Sequence, residues 1–544
     1  MHRSRLLTIL AILCVLTATH LAVATPTEPF WNNDETRHVM TGILFHDALS
    51  DLPQSNPREY VERYYLQYPA LGLLTWPPLF HVVEGIWMLA FGPSHDAARV
   101  LIGFCSAAAC VFLFRLVNHT HDLFTAAVAT LLFGFAPLVF TYSQHVMLEM
   151  PALVGVLASL FYFTRYLDEE RSRHLWLAAL CFSLTALTRF DGILLLPLFA
   201  ILLAARRRFD LLGRKQVWLA VLVATALVLP YYAVAFHEVG WVHWKSVQTG
   251  SAAESTEFLA PENFWFYPAQ LPEQVGWFTL ILSLVGLVGL GGLADAEKRR
   301  NAWPYLALIL ATYVTFSPLA ELESRHAIYW VPGFAVLAAC GVTRIAGWLR
   351  QPAAAWLLAG GAAVGTAWLT LTSPPLYVRG YEEAARYVLA HVHESDRCLF
   401  DSYLNGNFIY QVRHADPQRR LWVLRGDKLF YGVLSDPAAG YEEYAHDDQG
   451  ILELLAKYDP EYIVVEDPQV HFHLPVAARL RAVLRDNPNR FELEKELPVQ
   501  SNLRIFAGVR LLIYRNRHRN PQRTDHLELN MFGLRRRIGT EIPR

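Results

Sequence analysis

The sequence predicts a polytopic α-helical membrane protein with about eleven transmembrane helices, one interfacial helix and a small extracytoplasmic α/β domain at the C-terminus. Three observations carry that prediction. Hydrophobic residues make up 53% of the 544 and charged residues only 18%, against about 25% charged in ordinary soluble chains. Apolar runs of membrane-crossing length recur along residues 1–374. Beyond them the pattern changes to helical periodicity alternating with short β-rich runs. A formal net charge of -2 excludes the basic footprint that a nucleic-acid partner requires. Cys14, Cys105, Cys110, Cys181 and Cys340 sit in apolar runs and only Cys398 in a polar one, so neither a disulfide framework nor a CxxC metal spacing is available.

A helix needs roughly 20 apolar residues to cross about 30 Å of hydrocarbon. The runs that approach or reach this are 5–25, 97–117, 122–142, 147–167, 174–189, 191–205, 216–236, 273–294, 302–319, 326–348 and 352–373. The first also reads as a signal peptide, because Arg3 and Arg5 precede it and Ala22-Val23-Ala24 offers a small-x-small cleavage pattern. Residues 76–92 are a twelfth candidate, decided by charge. If they do not span, Arg3, Arg5, Arg171, Arg173, the Arg206–Lys215 loop and Lys298-Arg299-Arg300 all become cytoplasmic, as the positive-inside rule asks. The segment is short, opens with Pro77-Pro78 and carries His81 and Glu84, which fits an interfacial helix on the outer face.

That choice puts the loop 26–96, the turn 143–149, the loop 237–272 and everything after about 374 outside. Domain boundaries follow: 1–374 transmembrane, 375–515 α/β, 516–544 a flexible basic tail with Arg535-Arg536-Arg537. Within the α/β part, YEEAARYVLAHV and ILELLAKY read as helices, and RCLFDS, RRLWVL, EYIVVED and RLLIYRN as strands.

The elaborated face carries the candidate chemistry. Asp34 and Glu35 follow the first span in Phe30-Trp31-Asn32-Asn33-Asp34-Glu35. Adjacent carboxylates beside hydrocarbon are costly and usually face a water-filled cavity, where one can take a proton from a hydroxyl. A solvated loop with Asp34 capping a helix over 36–49 fits the same residues. Glu149, before Met150-Pro151, stands where an external turn becomes helix, which also suits the helix dipole. Arg189 in Thr188-Arg189-Phe190-Asp191, Arg325 with His326 after Glu321 and Glu323, and Lys245 beside His243 place cations outside, against the orientation bias. Binding an anionic phosphate explains them, as does local pairing of Arg189 with Asp191 and of Arg325 with Glu321 or Glu323. His391, His393, His471 and His473 lack companions at metal-ligand spacing and read as surface histidines. No GxGxxG or Walker pattern occurs.

The ordered set of an Asp-Glu pair after the first span, a Pro-Pro interfacial helix, an acid before Pro in the second external turn, a Thr-Arg between later spans and an Arg-His opening a helix resembles the polytopic GT-C glycosyltransferases. More narrowly it is similar to glycosyltransferase family 39: protein mannosyltransferases, aminoarabinose transferases of lipid A and a galacturonosyltransferase-like group. The resemblance covers about residues 1–375 and implies inverting transfer of a sugar from a polyprenyl-phosphate donor to a hydroxyl of a lipid, glycan or protein. It places the site on the periplasmic side of a bacterial plasma membrane. It implies Asp34 as general base, Glu35 as its acidic neighbour, Glu149 as the second-loop acid, and Arg189, Arg325 with His326, and Lys245 as phosphate holders. It leaves a divalent cation open, with Glu35 and Glu149 as the carboxylates to hold one. The chain departs from the pattern in having Glu149 where related enzymes often have Asp, with no second acid beside it. A lipid-linked-sugar flippase or a non-catalytic polysaccharide-assembly partner, with charges along the depth of the bundle, is the alternative; a degenerate scaffold that binds the carrier without transfer is a third.

Overall fold

A computed structural model describes residues 2–22, 30–53, 56–249, 256–291, 296–393, 396–434, 437, 440–470 and 473–542. The cleavage pattern at Ala22-Val23-Ala24 and His471 extend outside these residues. The chain divides into two units. The first comprises residues 1–25, 74–80 and 99–375, and the second 26–73, 81–98 and 376–544.

Helices occupy the predicted runs in order: α1 His2–Ala22, then, after the first loop, α5 His95–Thr120, α6 Leu123–Gly134 and α7 Pro137–Tyr142. The loop between α1 and α5 holds α2 Asn33–Asp51, α3 Pro57–Gln67 and α4 Leu79–Phe91. Next come α8 Glu149–Glu169, α9 Ser172–Ala186, α10 Leu195–Ala205, α11 Lys215–Thr249, α12 Asn263–Ala269, α13 Leu271–Val275 and α14 Trp277–Gly291. The unit closes with α15 Ala296–Phe316, α16 Val331–Leu349 and α17 Pro352–Thr372. Among the described residues five helical stretches are long and apolar enough to span alone, and a sixth if the pair bent by 115° before Trp277 counts as one. The other predicted spans are shorter or interrupted. Pro137 divides the run 122–142 because it lacks an N–H and fixes its φ. The thirteen residues of α4 rise about 20 Å, too little for the hydrocarbon core. Helix α11 continues to Thr249 instead of ending near 236, so the first part of the loop expected at 237–272 is helical.

Glycine permits a close crossing of α14 and α16. A Cβ on Gly286 of α14 would run into the Leu337 carbonyl, and one on Gly341 of α16 into the Leu282 carbonyl. Close backbone approach through small residues is how helices gain packing where no hydrophobic force separates lipid from side chain.

In the second unit, strands β1 Arg397–Asp401, β2 Trp422–Arg425, β3 Tyr462–Asp467, β4 Phe491–Pro498 and β5 Arg510–Asn516 form a sheet in the order β2-β1-β3-β5-β4. β2, β1 and β3 run parallel, and β5 and β4 join antiparallel. The four β-rich runs picked out by sequence are β1, β2, β3 and β5. Successive side chains point to opposite faces. Leu399 belongs to a core with Leu455 and Leu480 of helices Asp448–Tyr458 and Pro475–Asp486, while Phe400 stacks on Phe408 at 4.3 Å and meets Tyr381 of helix Tyr381–Leu389. Both faces are thus covered.

Residues 516–542 of the expected tail are not flexible. Strands β6 His526–Met531 and β7 Arg536–Glu541 pair antiparallel, and Leu527, Leu529, Ile538 and Ile542 join the core around Leu399. The arginines masked a period-two pattern, His-Leu-Glu-Leu-Asn-Met, whose alternate leucines are buried. Nor do residues 26–73 cluster with the spans. Asp47 of α2 and Arg413 of helix Asn405–Ala415 form a buried ion pair at 2.7 Å, and Tyr64 of α3 donates to Asp47 at 2.8 Å.

Candidate functional site

Each unit carries one cluster of the predicted residues. In the first, the chain leaves α9 at Thr188-Arg189 and turns back through a 3-10 segment at Phe190–Leu194. A Cβ on Gly192 would lie 2.8 Å from the Ala186 Cα, so glycine permits the return. Arg189 is buried, and its guanidinium forks: Nη1 donates to Glu149 Oε1 at 2.6 Å and Nε to Asp191 Oδ2 at 2.5 Å. Tyr329 donates to the same Asp191 oxygen at 3.1 Å. Glu149, the first residue of α8, is fully buried. Its Oε1 also lies 3.7 Å from Arg325 Nε, and Arg325 pairs with Glu323. Oε2 accepts no hydrogen bond among the described residues. His326 stacks on Phe316 at 5.4 Å, with Nδ1 3.4 Å from the Tyr267 hydroxyl.

The structure therefore brings Glu149, Arg189, Arg325 and His326 into one network, and Asp191, Glu323 and Tyr329 complete it. Both local pairings that the sequence suggested, Arg189 with Asp191 and Arg325 with Glu323, are present, but the link from Arg189 across to Glu149 was not readable from spacing. Lys245, near the end of α11, makes no ion pair with this network among the described residues, whereas His243 Nε2 lies 3.2 Å from the Leu74 carbonyl oxygen.

In the second unit, Asn32 is the N-cap of α2, accepting from the Asp34 N–H at 2.8 Å. The cap expected of Asp34 belongs to Asn32, which caps equally well. Asp34 and Glu35 then fall in the first turn, where negative charge complements the dipole, but their environments differ. Glu35 is fully buried, with Oε1 3.2 Å from His95 Nε2. Asp34 keeps 18% of its side chain accessible and lies 3.7 Å from Arg37 one turn on. His95, which edges against Phe30 at 4.5 Å, gave no sequence signal beyond standing at the start of a span. One helical turn past Asp34, His38 Nδ1 meets His81 Nε2 at 3.0 Å. Among the described residues no three His, Cys, Asp or Glu side chains converge to hold a metal ion.

Residues 75–233 match the family model for dolichyl-phosphate-mannose-protein mannosyltransferases. No curated protein sequence matches the chain. Among solved structures, ArnT from Cupriavidus metallidurans bound to undecaprenyl phosphate superposes with a TM-score of 0.64 at 12% identity, over 94% of this chain and 97% of that one. The chain has the GT-C glycosyltransferase fold. The same GT-C architecture relates it to the Archaeoglobus fulgidus oligosaccharyltransferase, TM-score 0.57 at 12% identity over 84% and 68% of the two chains. Arabinofuranosyltransferase AftD from Mycobacteria matches at TM-score 0.51 and 14% identity, over 95% of this chain and 40% of that one. The family model and these solved structures are all of glycosyltransferases. The family model spans Glu149 and Arg189 and stops short of Arg325.

Proposed function

We propose that this chain is an inverting glycosyltransferase that moves a sugar from a polyprenyl-phosphate donor to an acceptor hydroxyl at the extracytoplasmic face of the membrane. The observation that carries the reading is the division of labour between adjacent carboxylates. Asp34 keeps part of its side chain accessible beside Arg37, where a substrate hydroxyl can meet it, while Glu35 is buried against His95 and fixes the start of α2. The donor class is supported by the undecaprenyl phosphate in the ArnT structure.

In the proposed reaction the acceptor oxygen attacks the anomeric carbon as its proton passes to Asp34. The bond from that carbon to the phosphate oxygen breaks, and its electron pair leaves with the phosphate. Arg189 and Arg325 meet the charge that develops there, with His326 beside them and Lys245 as a further cation. Glu149 is a positioning residue in this scheme: its Oε1 faces both guanidinium groups and holds them before substrate arrives.

Asp34→Asn keeps the shape but cannot take the proton, so turnover should fall by roughly 10² to 10⁴. The test is mass spectrometry of lipid-linked and surface glycans from cells lacking the protein, complemented with wild type or Asp34→Asn, alongside thermal unfolding and undecaprenyl phosphate binding of the purified variants. Loss of the product with unfolding and binding unchanged is the expected result. A variant that restores the glycan fully would remove Asp34 from the mechanism.

A further inference from the structure

We propose that Lys428 and Arg37 form a subsite for a compact oxyanion, a phosphate or a carboxylate, carried by the acceptor near the hydroxyl that Asp34 deprotonates. The inference rests on the reading of Asp34 as base and adds a recognition element from the α/β part of the chain.

The argument begins with the turn that follows β2. Gly426 is required there, because a Cβ would collide with the Asp401 carboxylate. The short helix Gly426–Leu429 then carries Asp427 and Lys428. Asp427 is already taken: Arg425 Nε donates to its Oδ1 at 2.7 Å, and Arg425 Nη1 donates to the Pro69 carbonyl at 2.5 Å. Burial pushes the Asp427 carboxyl up, yet the Arg425 charge outweighs it and leaves the group at about 2. Lys428 keeps only 14% of its side chain accessible, has Asp427 no nearer than 4.0 Å and makes no hydrogen bond through Nζ among the described residues. An ammonium carries three donors, and burying it without acceptors is costly.

The surroundings increase that cost. Arg425 and Arg37 both lie close enough to act on Lys428 electrostatically, and Arg37 acts on Asp427 and on the Tyr65 hydroxyl as well. Three cations thus stand around two carboxylates, Asp34 and Asp427, leaving positive charge in excess. Burial first, then the neighbouring arginines, push the Lys428 ammonium down to about 8 against the pull of Asp427. An oxyanion would supply acceptors to Lys428 and a planar partner to the Arg37 fork together. Arg37 follows Asp34 by one turn on α2, so an anion held there belongs to the substrate whose proton Asp34 takes.

The purified full chain is labelled with limiting amine-reactive ester, and modification is read by peptide mass spectrometry at its six lysines. Inorganic phosphate and methyl glucuronide serve as the two oxyanion probes, with chloride at matched ionic strength as control. Without anion, Lys428 labelling should rise with a midpoint near pH 8. Millimolar phosphate, methyl glucuronide or both should protect Lys428 several-fold and move that midpoint upward, with Lys457 and Lys495 unchanged, and the more effective probe names the oxyanion. Arg37→Gln should weaken the protection several-fold. Equal labelling with and without both probes overturns the proposal, as does protection that Arg37→Gln leaves intact. Because labelling needs no turnover, protection that persists in a fully active Asp34→Asn protein would keep the subsite while removing the base.

Discussion

At Glu149 a carboxylate with no exposed surface faces two guanidinium groups, and its value depends on all three staying together. Removing one partner of a buried pair costs about 3 to 5 kcal/mol, because the charge left behind stays desolvated. Glu149→Ala should therefore lower thermal stability by that amount and weaken undecaprenyl phosphate binding. Glu149→Gln, which preserves shape and one acceptor, should fold but lose donor affinity at least several-fold. Unchanged affinity in a folded Glu149→Gln protein would show that the carboxylate does not position the arginines. Asp34 and Glu35 stood out in the sequence as paired carboxylates straight after an apolar run. Their different environments did not, since the burial of Glu35 depends on His95, a residue outside the motif. Lys428 was illegible for the same reason: its isolation comes from Arg425 engaging Asp427 and from Arg37 far away in sequence.

Elements with a strong period were read well. Strands β1, β2, β3 and β5 are short runs rich in Val, Ile, Leu, Phe and Tyr, which pleated, half-buried surfaces favour. Helix Asn405–Ala415 was missed because its first turn, Asn-Gly-Asn, is made of poor helix formers, and tertiary packing against α2 overrides that preference. The hairpin of β6 and β7 was missed because clustered arginines suggested a solvated tail. The crossing of α14 and α16 could not be seen either, as nothing in either glycine names its partner. Gly341→Val puts a branched side chain where the Leu282 carbonyl lies and should sharply reduce the yield of folded protein. Gly347→Ala, at an open position near the end of the same helix, should be tolerated. Size-exclusion profiles and thermal unfolding in one detergent compare them. Equal behaviour of the two variants would mean that the helices do not cross at Gly286 and Gly341.

For the whole molecule, the distribution of basic residues decides which side each loop occupies, and a single choice fixes all of them. If α4 lies in the interface and does not span, the loop of Arg206, Arg207, Arg208, Arg214 and Lys215 is cytoplasmic, while the segment after α11 and the α/β unit are outside. The length of α4 favours this, since thirteen residues fall well short of crossing. Asp210, Ala260 and Glu453 stand on these three parts of the chain and are at least partly exposed. Single cysteines at these positions, in a background with the six native cysteines replaced, should report the orientation through a membrane-impermeant thiol reagent. In spheroplasts, Ala260→Cys and Glu453→Cys should label, and Asp210→Cys should label only after permeabilisation. Labelling of Asp210→Cys in sealed spheroplasts would invert the orientation and put the proposed acceptor chemistry of Asp34 on the cytoplasmic side, where the positive-inside argument forbids it. If the N-terminal segment kept its orientation, the same labelling would instead make α4 a true span, which leaves Asp34 outside and puts the basic loops outside with it.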